Sequence, residues 1–146
     1  MTEAKSRLKE DSRRLAVRCA RILDENKLED VSVLHVGSSL HITDYFIVAT
    51  GRNRRHLKAA CDNLFRELRE VGIARRGVEG YREGGWVLID FVDVVVHTFD
   101  ADSRRFYDLE LLWGDCPRVD WAAESLNGQE SSQSPDETMR PASGDA

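Results

Sequence analysis

Three aspartates raise the question of metal-assisted chemistry in this chain. The stretch VGSSLHITDYF, residues 36–46, sets Gly37 and Ser38 ahead of a strand that opens with Asp44, while Asp90 and Asp93 follow in a later apolar region. A Gly-Ser turn of this kind can hold a triphosphate, and carboxylates alternating along the strand can bind two metal ions for nucleotidyl transfer. Two-metal chemistry needs acids that point the same way, hence at i and i+2 on a strand. Here the i+2 position is Phe46. A lone acid on this strand clamps a magnesium pair poorly, so Asp44 reads better as a strand-start or capping acid. The four histidines, His35, His41, His56 and His97, fall in separate elements without a Ser or Cys partner at a recognised spacing. His97, near the end of an apolar strand, fits a structural or interface histidine better than an acid-base group. The glycines of GVEGYREGGW, residues 77–86, lead into a strand rather than a helix N-terminus, so they mark turns and not a phosphate loop. Cys19, Cys61 and Cys116 are widely separated and form no CxxC pair, which suggests neither a disulfide framework nor a zinc site. No catalytic residue, metal or cofactor is expected.

Two other clusters suit binding. Arg52, Arg54, Arg55 and Lys58 crowd the start of a helix, where each exposed cation opposes the helix dipole at a cost of about 0.3 kcal/mol. Either an anionic partner such as an RNA backbone compensates them, or they form a solvated basic face. In RFYDLELLWGDCPRVDW, residues 105–121, Phe106, Leu109, Leu112 and Trp113 follow helical spacing, so part of this set must close over a core. Tyr107, Asp108 and Glu110 fall on other faces. For Tyr107 and Trp113 two roles stay open, core covering and exposed docking, since Tyr and Trp bring large, stiff contact area at low entropic cost.

The elements that must position these groups follow from periodicity. Leu8, Leu15, Cys19, Ile22 and Leu23 predict an amphipathic helix from about residue 6 to 26, and Leu57, Cys61, Leu64, Leu68 and Val71 a second, ended by Gly72. Strands are expected at 31–36, at 44–51 with apolar cover on both faces, at GVEGY, at GGWVLIDF and at 93–99, the last two joined by a tight hairpin. The order implies a single mixed α/β domain, a β-sheet flanked by helices. With 146 residues, 41% of them apolar, one core is the natural outcome. The net charge of −5 disfavours indiscriminate binding to nucleic acid or anionic membranes. The N-terminal MTEAKSRLKEDSRR has no apolar core, which argues against a secretory signal; a reducing cytoplasm is expected. From residue 121 to 146 the composition turns polar, and a disordered tail is expected after a domain spanning 1–120.

Taken in order, ITDYFIVATG, VEGYREGGWVLIDFVDVVVHTF and RRFYDLELLWGDCPRVD resemble the ribosomal silencing factor family, known also as RsfS or iojap, over roughly residues 8–120. The resemblance implies a nucleotidyltransferase-like fold without the catalytic carboxylate set. It also implies binding to ribosomal protein fourteen of the large ribosomal subunit, which blocks small-subunit joining and represses translation when nutrients are scarce, with a homodimer when free. By motif, Trp86, Asp90, His97, Tyr107, Asp108, Leu109 and Trp113 become the partner-binding residues. Arg52, Arg54, Arg55 and Lys58 become a candidate rRNA contact, since the family often carries small polar residues near 53–55. The resemblance also implies Gly where Val92 stands. Organellar relatives suggest a second role, large-subunit assembly through the same surface.

Overall fold

The computed structural model describes residues 2–37, 42–107 and 115–124. Helix α1 (Thr2–Glu25) starts earlier than its apolar spacing indicates. Ala16, Val17, Cys19, Ala20, Ile22 and Leu23 form its buried stripe, at the i, i+3 and i+4 steps of a helix laid on a sheet. Lys27 takes φ 71°, and Leu28 N–H donates back to Leu23 O at 3.1 Å, closing the helix and turning the chain into β1 (Glu29–His35).

β1 pairs antiparallel with β2 (Tyr45–Gly51), and β2 runs parallel to β5 (Val94–Asp100). The crossover between those parallel strands contains α2 (Arg54–Glu70), β3 (Gly77–Glu79) and β4 (Trp86–Asp90), and β4 pairs antiparallel with both β3 and β5. The spatial order is β1-β2-β5-β4-β3. This is the expected mixed sheet with helices packed on it.

Period-two alternation assigns the faces. Tyr45, Ile47, Ala49, Val94 and Val96 share one core with α1 and α2. On the opposite side Phe46 packs with Leu34 and Val36, and Val48 with Phe99. Central strands apolar on both faces are what the sequence led one to expect of β2. A polar stitch joins the helices: Asn26 O accepts from His56 Nε2 at 2.7 Å, while His56 Nδ1 accepts Arg52 N–H at 3.0 Å.

The β4–β5 hairpin is tight. Val92 sits at its tip with φ 79°, and its N–H donates to Asp90 Oδ1 at 2.7 Å. After residue 115 the chain returns to the outer edge of β1, where His35 N–H donates to Pro117 O at 2.8 Å and Val119 N–H to Val33 O at 2.9 Å. Trp121–Ala123 then form a 3-10 turn. Trp121 Nε1 donates to Val31 O at 3.0 Å, and Arg13 grips Glu124 at 2.8 and 3.1 Å. Residues 121–124, counted with the polar tail on composition, are thus docked on α1 and β1; residues 125–146 lie outside the described part.

Candidate functional site

The sheet face opposite α1 and α2 carries an aromatic group drawn from neighbouring strands. In the register of β4 on β5, Trp86 lies opposite Phe99, Leu88 opposite His97 and Asp90 opposite Val95, so all six share this face. The Trp86 ring stacks on Phe99 at 5.1 Å, and Phe46 meets His97 edge-on at 4.7 Å. Trp86 Nε1–H donates to His97 Nδ1 at 3.2 Å. Because an indole nitrogen only donates, His97 Nδ1 is the acceptor and the ring proton sits on Nε2. That Nε2 is buried with no hydrogen-bond partner among the described residues. Burial lowers the His97 pKa to about 4, so the ring is neutral near pH 7.

Trp86 is fixed by a close backbone approach. Gly80 has φ +80°, and a Cβ there would stand 2.0 Å from the Trp86 carbonyl oxygen, so only glycine admits this strand entry. At the same end of the aromatic row, Asp100 N–H donates to Gly85 O at 3.0 Å and Asp100 Oδ1 accepts Ser103 N–H at 2.8 Å. That cap turns β5 directly into α3 (Ala101–Tyr107), with Asp102 in its first turn and Arg104 and Arg105 in its last, as the dipole prefers. Arg104 Nη1 donates to Thr50 Oγ1 at 2.7 Å and to Asp30 O at 3.0 Å, bracing α3 across the ends of β2 and β1.

The structure therefore brings Trp86, His97 and the helix bearing Tyr107 to one region. The side chain of Tyr107, together with Asp108, Leu109 and Trp113, falls outside the described residues. Asp90 stands at the far end of β4 and is engaged within the chain: Oδ1 holds the hairpin, and Oδ2 takes Arg76 at 2.6 and 3.1 Å. Asp44 and Asp93 open the adjacent parallel strands, linked by Asp44 N–H to Asp93 O at 2.9 Å. Phe46, at the position a second strand carboxylate would need, is packed against His97. Arg52, Arg54 and Arg55 are exposed, and Lys58 Nζ lies 5.4 Å from the Tyr81 ring centre. Sequence reading missed Phe99, Gly80 and Arg104. Alternation along DVVVHTF carried the signal for Phe99, two residues from His97; Gly80 and Arg104 act through non-local contacts that no local pattern displays.

Such a sheet, with α1 and α2 on one side and a hydrogen-bonded aromatic row on the other, defines a small α/β domain; Phe46, His97 and Phe99 are buried within the row, and Trp86 is its half-buried member. Among the described residues no group of three or more His, Cys, Asp or Glu is placed to hold a metal ion. Comparison with known proteins is specific: a family model described as "Ribosomal silencing factor during starvation" matches residues 9–145, and the chain belongs to that family, RsfS. A Halalkalibacterium halodurans protein named ribosomal silencing factor RsfS is 40% identical across 67% of this chain and 84% of its own. A mouse protein named mitochondrial assembly of ribosomal large subunit protein 1 is 30% identical across 63% of this chain and 42% of its own. The crystal structure of a Chromobacterium violaceum protein superposes with a TM-score of 0.65 at 35% identity, covering 72% of this chain and 85% of that one. The resemblance carried by the three motifs is borne out.

Proposed function

We propose that this protein is a cytoplasmic translation repressor that occupies ribosomal protein fourteen on the large ribosomal subunit and sterically blocks small-subunit joining when nutrients are scarce. The observation that supports this most directly, beside family membership, is half-buried Trp86, held by buried His97 and Phe99 of β5, the strand that leads without a loop into α3 and Tyr107. A surface suffices for such a role, because bulk placed on a joining face excludes the other subunit without any reacting group. No cofactor is required, and the free protein is a homodimer. Trp86, Tyr107, Asp108, Leu109 and Trp113 supply the contact; His97, assigned to it by motif, is buried and acts by holding the Trp86 indole. Asp90 acts on it indirectly, through the hairpin.

Anchors at the centre of an interface typically cost about 2 kcal/mol on truncation, a roughly thirtyfold loss of affinity. Tyr107→Ala should therefore bind isolated ribosomal protein fourteen about thirtyfold more weakly and relieve the block on subunit joining in parallel, with little change in melting temperature. A well-folded Tyr107→Ala protein of unchanged affinity would remove this residue from the site. The relative named for large-subunit assembly favours a second reading, maturation of the subunit through the same surface. Sedimentation of lysates lacking the protein separates the two: incomplete large-subunit particles point to assembly, mature but more readily joined subunits to repression.

A further inference from the structure

We propose that Arg52, Arg54, Arg55, Lys58 and Arg82 form a cationic rim that holds a phosphodiester backbone, a stretch of ribosomal RNA bordering the aromatic docking face. The inference rests on the docking reading above and extends it to a second kind of partner.

The charges are uncompensated within the described residues. The ion pairs found there, Arg13–Glu124, Arg76–Asp90 and Arg105–Asp102, involve none of the five. Helix α2 has no acid in its first turn, so Arg54 and Arg55 face the positive end of its dipole unaided. Asn53 Oδ1 caps only His56 N–H, at 2.8 Å. An arrangement in which cations and the helix dipole repel one another is relieved by an anion, and the free protein offers little to relieve it. Of the acids close to the patch, Asp62, one turn on, already accepts the Tyr81 hydroxyl at 2.8 Å, and Asp100, beside Gly85 and Gly51, accepts Ser103 N–H at 2.8 Å.

Packing gathers the charges into one patch. A Cβ on Gly84 would meet Cγ and Cδ of Arg54 at 3.1 Å, so the 80–84 turn lies directly beneath the arginine stem, while Lys58 reaches over Tyr81 of the same turn. Arg82 occupies that turn and is exposed. Two residues after Gly84 the chain enters β4 at Trp86, which makes the basic patch and the aromatic row neighbours. The arginines stand on an open surface, a form that suits a line of phosphates better than one small anion. The net charge of −5 repels RNA at large, so the patch acts once the aromatic face has docked.

The test is equilibrium binding of the full-length protein to purified large subunits over a range of monovalent salt. Wild type should lose affinity with salt more steeply than Arg52→Gln/Arg54→Gln/Arg55→Gln, the slope of log K against log salt falling by about 0.7 for each phosphate contact removed. The corresponding triple Lys variant should keep most of the wild-type slope, and all three proteins should bind isolated ribosomal protein fourteen equally. Equal slopes for wild type and the Gln variant would overturn the RNA contact while leaving the docking face intact. An equal loss on the isolated ribosomal protein would also overturn it, by showing that the arginines meet protein. Failure of wild type to bind large subunits would overturn both readings.

Discussion

His97 concentrates two roles in one imidazole. It fills the aromatic row between Phe46 and Trp86, and its acceptor nitrogen takes the Trp86 indole N–H. Both roles need the neutral ring. The unfolded chain takes up a proton near pH 6.5, whereas the folded ring resists until about 4. Stability is thus fully present above the unfolded value and falls as pH drops through this window, by roughly 3 kcal/mol for a shift of this size. Urea denaturation at several pH values should show this loss in wild type and its absence in His97→Gln, where the carboxamide oxygen still accepts from Trp86. Parallel pH profiles for the two proteins would show that His97 titrates normally. Trp86→Phe keeps the stack on Phe99 but removes the donor, and should cost about 1 kcal/mol of stability.

Two elements are decided by few residues. The β4–β5 hairpin places a β-branched side chain at φ 79°, a region costing an L-residue roughly 1–2 kcal/mol. Val92 is 45% exposed, so it regains little by burial. Val92→Gly, the residue that the resemblance implies here, should raise unfolding free energy by about 1 kcal/mol, part of the relief being offset by the greater freedom of the unfolded glycine. A lowered melting temperature would mean that the turn is unstrained. The second element is the C-terminal strap. Truncation after Asp120 removes the Trp121 indole and the Arg13–Glu124 pair and should lower the melting temperature by roughly 5–10 °C, while truncation after Glu124 should leave it nearly unchanged. These two elements also mark where local reasoning stops. Periodicity located α2, the double-faced β2 and the β4–β5 hairpin because each is written in neighbouring residues. It placed the last helix at Phe106–Trp113, yet α3 begins at Ala101, since the Asp100 cap and not an apolar spacing starts it. It assigned Trp121 to the tail because the partner that holds it, Val31, lies 90 residues away. The aromatic row was half legible for the same reason: Trp86 and His97 were singled out one by one, but their hydrogen bond depends on the β4–β5 register.

At the scale of the whole molecule, a silencer that works by occupancy has a stoichiometric signature. On the occupancy mechanism proposed above, a domain of this size would engage its partner through about 800 Å² of its own surface and leave the remainder of its bulk to fill the joining space. Each blocked large subunit must therefore carry one bound protein. With subunits well above the dissociation constant, titration should abolish joining linearly with an end point near one protein per large subunit, without added nucleotide or divalent metal beyond what the subunits need. Excess small subunits should reverse the block only as fast as the protein dissociates, and Tyr107→Ala, which weakens the anchor, should speed that reversal about thirtyfold if the loss lies in the off-rate. An agent that modifies the ribosome behaves differently: it silences at a small fraction of an equivalent, and the effect outlasts its removal. Silencing at a tenth of an equivalent, or inhibition that persists after the protein is washed away, would exclude occupancy and return attention to Asp44 and Asp93 at the mouths of the two parallel strands.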